Sequence, residues 1–441
     1  MIRSSAALSV LLLVTSAAAA RAQEPAPTPP TAVAEGEQQE PEGFEMRWNP
    51  RPSLRIAGDM LRVDLRVKLQ LDWRWAPDEI ELRGGLFQLQ RRRVGAEGVF
   101  LKHFEYEIER ELDFNPEAEA LAGSLDEVDD SPWRDVFVNF RYFRDAQIKV
   151  GKFKVPFSLE QITGPTNLDF VYRSRIAADL APGRDIGAMI HGRGRVVGYE
   201  FGVFQHDGEN SKFDFNEGAD TTAAGRFLVR PLRIEDSELD ALEVGVSATV
   251  GDVPEGLNTL RGRSTWGDDF FFDAYVKGRR VRLGAEVNWE PRNFSVKSEY
   301  IRTRDEREGQ GILADDLPAL IGQGWYVGAT WVVTGEDKSG GVEPRRPLFG
   351  GGVGAIELAG RYERMSMGSD APGEPEETNP RAINLLENGE RLWTIGLNWY
   401  LNRWMRIQLN GIRETIDDIE RSPFPTQNTF WLGVARLQLV L

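Results

Sequence analysis

A strict alternation of apolar and polar residues runs from Val63 to Trp75. The apolar positions are Val63, Leu65, Val67, Leu69, Leu71, Trp73 and Trp75, and the polar positions between them are Asp64, Arg66, Lys68, Gln70, Asp72 and Arg74. Because successive side chains of a strand point to opposite faces, this pattern predicts one strand with an apolar face and an ionic face. Strands of soluble proteins usually have about 5–6 residues, whereas a tilted strand that crosses a bilayer needs roughly 9–11. The length therefore predicts a membrane-spanning strand, with its apolar face toward lipid and its charged face toward a wet interior.

Similar alternation recurs along the rest of the chain and predicts sixteen strands in all. The predicted strands are 61–75, 86–100, 104–114, 135–143, 146–154, 184–192, 196–206, 222–231, 240–252, 280–290, 293–303, 324–334, 353–364, 391–401, 404–414 and 429–441. An even number of amphipathic strands is typical of bacterial outer-membrane barrels. The predicted fold is therefore all-β: a 16-stranded antiparallel transmembrane β-barrel spanning residues 53–441.

The connections between these strands alternate between short and long. The short set is 101–103, 144–145, 193–195, 232–239, 291–292 and 402–403, together with an unusually long 335–352. The long set is 76–85, 115–134, 155–183, 207–221, 253–279, 304–323, 365–390 and 415–428. Outer-membrane barrels have short periplasmic turns and long outer loops, whereas a soluble sandwich has no reason to sort its loops in this way.

The N-terminus has the features of an export signal. Arg3 precedes an apolar run from Ala6 to Ala20, and Ala20-Arg21-Ala22 fits a small-x-small cleavage site. We therefore expect residues 1–22 to be a signal peptide. Residues 23–52 are rich in Pro and Glu, a composition typical of an extended periplasmic tail without packed structure.

Composition and charge narrow the possible chemistry. The chain has no cysteine and only three histidines, which excludes a disulfide framework and a zinc–thiolate site. We expect no cofactor, no metal site and no nucleic-acid partner. The net charge is −16, but the acidic residues are concentrated in the tail and the long loops, so the strands are slightly basic. An ion path through the barrel need not follow the sign of the whole chain.

Basic residues recur on the faces predicted to line the lumen. These residues are Arg66, Lys68, Arg74, Arg91, Arg93, Lys149, Arg280 and Arg282. A tight turn at 101–103 is expected to place Arg93 opposite Asp113. Such a lumen can attract anions, or its charges can simply balance one another through salt bridges, since barrel walls are routinely ionic.

Several tracts resemble the phosphate-selective porin O and P family. They are Arg91-Arg92-Arg93-Val94-Gly95-Ala96-Glu97-Gly98, the segment from Val150 to Gln161 (VGKFKVPFSLEQ), Leu180-Ala181-Pro182-Gly183-Arg184-Asp185-Ile186-Gly187, the segment from Pro344 to Phe349 and the segment from Ile356 to Tyr362. The resemblance covers most of residues 54–441. It implies an outer-membrane porin of a Gram-negative-type bacterium, usually a homotrimer, with lipid, lipopolysaccharide and the barrel-assembly machinery as partners. It also implies a third loop folded inward to narrow the pore.

The third long connection, 155–183, is the expected constriction. Phe157, Leu159, Phe170 and Tyr172 provide apolar anchors against the wall. Arg173, Arg175 and Arg184, with Tyr172, are then expected near the narrowest section. Arginine stays charged and can bind phosphate or carboxylate with paired donors, and a few charges set ion preference in a narrow bore. The alternative is that these arginines pair with Asp169, Asp179 and Asp185 and only fix the loop in place.

The expected function is passive diffusion of small hydrophilic solutes, with a preference for phosphate-like anions. A general or weakly cation-preferring porin is one alternative. A lipase-like barrel enzyme is another, for which His206 with Ser211 is the available pair, although we expect no enzyme. A structural or adhesive barrel with a plugged lumen is the third.

Overall fold

The computed structural model describes residues 44–48, 51–57, 60–77, 85–112, 132–208, 221–232, 237–260, 262–271, 273–369, 371–376, 379–424 and 426–441. The predicted signal peptide lies outside these residues, as does most of the predicted tail. The part of the tail that is described does not fit the prediction of a segment without structure. Phe44–Arg47 forms a short strand, β1, because it pairs antiparallel with Ser53–Ile56, β2.

Sixteen wall strands follow this short hairpin, as the alternation predicted. They are β3 Leu61–Trp75, β4 Phe87–Phe100, β5 Phe104–Glu111, β6 Trp133–Phe140, β7 Gln147–Lys154, β8 Arg184–Arg193, β9 Val197–Phe204, β10 Thr222–Val229, β11 Leu242–Leu257, β12 Tyr275–Trp289, β13 Phe294–Arg307, β14 Leu317–Val332, β15 Ala355–Ser369, β16 Asn388–Tyr400, β17 Met405–Ile416 and β18 Thr429–Val440. Two short α-helices, α1 Leu159–Ile162 and α2 Arg175–Asp179, lie between β7 and β8. Short 3-10 turns occupy Glu238–Ala241, Leu348–Gly350 and Ile419–Arg421.

The wall closes on itself. Each wall strand pairs antiparallel with the next one along the chain, and β18 pairs with β3, with Leu437 opposite Leu71 and Arg436 opposite Asp72. β18 ends partway along β3, and β2 pairs with the remaining segment of β3 from Leu61 to Asp64. The predicted closed antiparallel barrel of sixteen strands is confirmed.

Burial of side chains is inverted relative to a soluble protein. On β3, Trp73 is 61% exposed whereas the neighbouring Asp72 is fully buried. The same contrast holds along the strand, where Arg74 and Gln70 are buried and Trp75 and Leu65 are exposed. Apolar side chains therefore form the outer surface that faces lipid, and the charged side chains pack inside the barrel.

The register between β4 and β5 differs by two residues from the prediction. Arg93 lies opposite Glu111 rather than Asp113, which is outside the described residues. The chain reverses directly after Phe100, with positive φ angles of 50° at Leu101 and 64° at Lys102. Phe100 therefore stacks on Phe104 at 4.9 Å between ring centroids. A shift of two residues keeps each side chain on its face, so Arg93 still meets a carboxylate on the lumen side.

Among the described residues, no helix is both long and apolar enough to cross a membrane.

Candidate constriction and pore lining

The third outer loop, residues 155–183, lies inside the barrel. Most of its residues are buried. Its two helices are each capped by a serine: the hydroxyl of Ser158 accepts a hydrogen bond from the Gln161 amide, and that of Ser174 accepts one from the Ala177 amide. The inward fold expected for this loop is therefore present.

The apolar anchors predicted for the loop are confirmed. Phe157, Leu159, Phe170 and Tyr172 are buried. Ile176 and Leu180 also pack against the wall, at positions where β14 carries glycine. A Cβ atom at Gly324 would lie 2.5 Å from Cγ2 of Ile176, so only glycine lets the loop approach the strand this closely.

Wall side chains satisfy the backbone of the loop. Arginines donate to its carbonyls: Arg436 to Val171 at 2.8 Å, Arg406 to Thr166 at 3.0 Å, and Arg282 to Leu180 at 3.0 Å. Carboxylates accept from its amides: Glu299 from Leu159 and Glu160, each at 2.8 Å, and Glu363 from Arg175 at 2.6 Å. Buried backbone groups need such partners, so the bonds hold this loop inside the barrel.

A second attachment joins the third loop to a turn at the short-turn end of the barrel. The carboxylate of Asp169 accepts hydrogen bonds from Lys338 at 2.7 Å and from Lys297 at 3.0 Å. Lys338 belongs to the turn 333–354, which is unusually long for the short-turn end, as the sequence indicated. Lys338 also bonds Thr330 and Glu357. The turn therefore reaches into the barrel and fixes the loop from the short-turn end. Asp169, Lys297 and Lys338 also help to line a cavity of about 550 Å³ at this place.

The four residues predicted for the constriction all lie in buried contacts. Arg173 donates to the carbonyls of Glu160 and Thr163, at 3.1 and 2.8 Å. Arg175 pairs with Asp179 at 2.5 Å and lies 3.4 Å from Glu390. Arg184 pairs with Asp135 at 2.7 Å, and Tyr172 lies 5.7 Å beneath the Arg436 guanidinium.

The contacts of Arg173 and Arg175 support the interpretation in which the arginines fix the loop, whereas the Arg184–Asp135 pair joins two wall strands. Two of the partners differ from those expected. Asp169 is held by Lys297 and Lys338 rather than by an arginine, and Asp185 contacts His206 at 3.3 Å. The Arg175–Asp179 pair matches the pairing considered from the sequence.

The eight basic residues predicted for the wall lie on its inner side, where nearly all of them contact carboxylates, carbonyls or amides. Arg66 lies 3.0 Å from Glu97 and also pairs with Glu107; Lys68 pairs with Glu109; Arg74 donates to the Gly85 carbonyl at 2.8 Å; Arg91 donates to Gln70 at 2.6 Å; Arg93 pairs with Glu111 at 2.8 Å; Arg280 pairs with Asp305 at 2.7 Å and Asp207 at 2.8 Å; Arg282 donates to the Leu180 carbonyl at 3.0 Å; and Lys149 lies over the Phe137 ring at 4.4 Å. The charge balancing that the sequence allowed is thus extensive.

The two sides of the lumen differ in accessibility. The bonds of the third loop to the wall go mainly to β12–β18, where the inner charged side chains are nearly all fully buried. On β3, β5 and β9, in contrast, the side chains of Arg66, Glu107 and Glu200 keep 17%, 18% and 28% of their area exposed. Lys297 on β13 keeps 19% of its area exposed, but most of the partly exposed charged side chains inside the barrel lie on the side that the third loop leaves uncovered.

Sequence reasoning missed the wall residues that hold the loop. Glu299, Arg361, Arg406 and Arg436 contact it from strands that follow it by more than a hundred residues. Their inward positions follow from alternation, but their partners depend on how the loop folds. The length of the 335–352 connection was the one signal that pointed toward Lys338.

Other chemistry is limited among the described residues. No group of three or more His, Asp and Glu side chains in that part of the chain could hold a metal ion. His206 contacts Asp185, as described above, whereas Ser211, its proposed catalytic partner, lies outside the described residues.

Comparison with known proteins gives a family and a fold. The family model described as phosphate-selective porin O and P matches residues 62–441. Comparison with curated proteins gives no significant match.

Solved structures with a similar fold are outer-membrane proteins of low sequence identity. In-vitro folded OmpT, an outer membrane protein of Vibrio cholerae, has a TM-score of 0.53 at 9% identity, over 87% of this chain and 98% of that chain. OprB of Pseudomonas putida, in its high-pH structure, has a TM-score of 0.52 at 11% identity, over 86% and 94%. The trimer form of the same OmpT has a TM-score of 0.50 at 11% identity, over 86% and 99%. At these identities the likeness concerns the fold.

Proposed function

The chain belongs to the phosphate-selective porin O and P family and is an outer-membrane porin, and we propose that it passes small hydrophilic solutes by passive diffusion, prefers anions and has no enzymatic activity. The observation that carries this proposal is the fixed position of the third outer loop, which is held inside the barrel mainly by bonds to β12–β18. Such a loop narrows a lumen without being a lid that must open for each solute.

We place the solute path between this loop and strands β3–β10. The exposed fractions of Arg66, Glu107 and Glu200 support this placement, because water must reach these side chains inside the barrel. Charges along a narrow bore act strongly on passing ions, since the surrounding protein has a low dielectric constant.

The anion preference rests on how the charges of this path are paired. Glu107 shares Arg66 with Glu97, Asp135 pairs with Arg184, and Glu200 shares Arg226 with Glu286. Lys149 adds a positive charge on the same side of the wall. A path with paired carboxylates and an additional ammonium favours anions, although the whole chain is acidic.

Liposome swelling tests the diffusion proposal. Vesicles that contain the purified full-length protein should swell in isotonic solutions of small neutral sugars, at rates that fall steeply with solute size. Swelling no faster than in protein-free vesicles would contradict the porin and favour a plugged structural barrel. Hydrolysis of an ester substrate by the wild-type protein would contradict the proposed absence of catalysis.

We further propose that the protein is a homotrimer whose interface covers the short strands. β5, β6, β7, β9 and β10 each have eight residues. A tilted strand needs roughly 9–11 residues to cross the hydrocarbon layer. The strands on this side of the wall are therefore too short to span that layer by themselves. β11–β18 have 12 to 16 residues and can cross it. Similarity in fold to a barrel that forms trimers supports the proposal.

A further inference from the structure

An apolar aromatic cluster lies on the lumen side of the wall, on strands β6–β9. The side chains of Phe153, Met189 and Phe204 are buried there, and Phe137 packs against them and stays partly exposed. The rings of Phe137 and Phe153 are 6.3 Å apart between centroids, and those of Phe153 and Phe204 are 5.4 Å apart. This cluster is separate from the larger apolar cluster that packs around the third loop, and Phe137 is its partly exposed member.

The wall is shaped to hold these rings. A Cβ atom at Gly187 would lie 2.6 Å from Cδ1 of Phe204, and one at Gly202 would lie 2.8 Å from Cε2 of the same ring. Only glycine at these two positions lets the Phe204 ring lie flat against neighbouring strands. The cluster is therefore built into the sheet and is not a loose contact among mobile side chains.

Lys149 adds a cation to the exposed edge of this cluster. Its ammonium lies 4.4 Å from the centroid of the Phe137 ring and 5.5 Å from that of Phe153. Within the part of the chain that the structure describes, this ammonium has no hydrogen-bond or ion-pair partner. Lys149 is not fully buried, so an anion in the path can reach it.

The carboxylates nearest to Lys149 are already engaged by other groups. Asp135 pairs with Arg184 at 2.7 Å, Glu200 with Arg226 at 3.2 Å, and Glu105 with Arg141 at 2.6 Å. Glu107 pairs with Arg66. Arg226 is shared with Glu286, and Arg66 with Glu97, but Lys149 takes part in none of these pairs, so its ammonium is available to a ligand.

We propose that Lys149, Phe137 and Phe153 form a transit site for carboxylates that carry an apolar, preferably aromatic, body. The ammonium binds the carboxylate, and the partly exposed Phe137 side chain contacts the ring. A single ammonium beside an apolar surface suits a singly charged anion with an apolar face better than phosphate, which is bound best by several convergent donors. This inference rests on the proposed function, because the site is useful only if solutes travel along this side of the lumen.

Competition with chloride current tests the site. The purified full-length protein is reconstituted in a planar bilayer, and benzoate, acetate or inorganic phosphate is titrated while the chloride current is recorded. Benzoate should half-block the current at a concentration about tenfold lower than acetate, since the two share a carboxylate and differ in the ring. Phosphate should block no better than acetate.

Three variants separate the contribution of the Lys149 ammonium from that of the Phe137 ring. Lys149→Gln should raise the half-blocking concentrations of benzoate and acetate about tenfold. Phe137→Leu should raise that of benzoate about threefold and leave acetate unchanged. Lys152→Gln is the matched control, because Lys152 is on the same strand but shares the outward face of Val150, and it should leave both unchanged. Heat-modifiable mobility on gels checks that each variant is folded.

A conducting wild-type barrel that binds benzoate no better than acetate would overturn this site and leave the porin intact. Equal loss of block in the Lys149 and Lys152 variants would overturn it as well. A wild-type protein that conducts no current would overturn both this site and the proposed function.

Discussion

The guanidinium of Arg436 on the last strand forms a double ion pair with Asp72 on the first wall strand, at 2.6 and 2.7 Å, and both side chains are fully buried. The same guanidinium donates to the carbonyl of Val171 in the third loop at 2.8 Å. One side chain therefore joins the seam of the barrel to the loop that narrows it. Closure of the wall and placement of the loop are coupled through this residue.

Loss of this guanidinium should destabilise the barrel strongly. In Arg436→Met, Asp72 stays buried without its partner, and we expect a loss of about 3–5 kcal/mol in the free energy of unfolding. Urea unfolding of the protein in liposomes, followed by Trp fluorescence, measures the change. Arg403→Met is a matched control, since Arg403 forms an exposed pair with Glu343 and should cost about 1 kcal/mol or less.

A double variant distinguishes the buried charge from the packing of the arginine. Arg436→Met combined with Asp72→Leu leaves no unpaired charge and should recover most of the lost stability. A single Arg436→Met variant as stable as the wild type would show that the pair does not hold the seam.

The contacts of Asp169 should control the steadiness of the constriction. Asp169→Asn removes the charge that Lys297 and Lys338 share, so the loop loses its attachment to the turn 333–354. Single-channel recordings should then show larger open-state current noise than the wild type. Asp337→Asn, an exposed neighbour on the same turn, should leave the noise unchanged; equal noise in wild type and Asp169→Asn would contradict the attachment.

Arg175 should affect the stability of the protein, and Arg66 should affect its ion selectivity. Arg175 lies in a buried contact with Asp179 and Glu390, so Arg175→Gln should lower the temperature of unfolding with little change in ion selectivity. Arg66 is partly exposed on the proposed path, so Arg66→Gln should shift the reversal potential in a KCl gradient toward potassium. Calorimetry and bilayer recording of both variants test the assignment. A selectivity change in Arg175→Gln with unchanged stability would place Arg175 in the path instead.

The trimer proposal predicts which outer side chains meet lipid. The chain has no cysteine, so single cysteines can be labelled selectively with a fluorophore. A label at Val150→Cys on the short β7 should be protected from quenching by brominated lipid, because a neighbouring protomer covers it. A label at Leu409→Cys on β17 should be quenched. Equal quenching at both positions would place the short strands in contact with lipid.

The alternation of apolar and polar residues predicted most of the fold, because every strand of a barrel wall has one face toward lipid and one toward the lumen. The lipid-facing residues of β3 had to alternate with its lumen-facing residues, so the strand and its faces were readable from Val63 to Trp75. A period of two fixes the face of a side chain but leaves its register open in steps of two. The pairing of Arg93 with Glu111 depended on the positive φ angles of Leu101 and Lys102, which no alternation reveals.

The candidate site was only partly predictable because its contacts are remote in sequence. The anchors Phe157 and Phe170 were evident as apolar residues in a polar loop. The bond from Lys338 to Asp169 joins residues 169 positions apart, and nothing local to either one indicates the other. The role of Lys149 likewise depends on its neighbouring acids having arginine partners, which only the folded barrel shows.

The reversal potential of the wild-type channel in a KCl gradient tests the central claim most directly. Purified protein in a planar bilayer should give discrete current steps, with a reversal potential displaced toward the chloride equilibrium potential. A reversal potential displaced toward the potassium equilibrium potential would contradict the anion-preferring path along β3–β10.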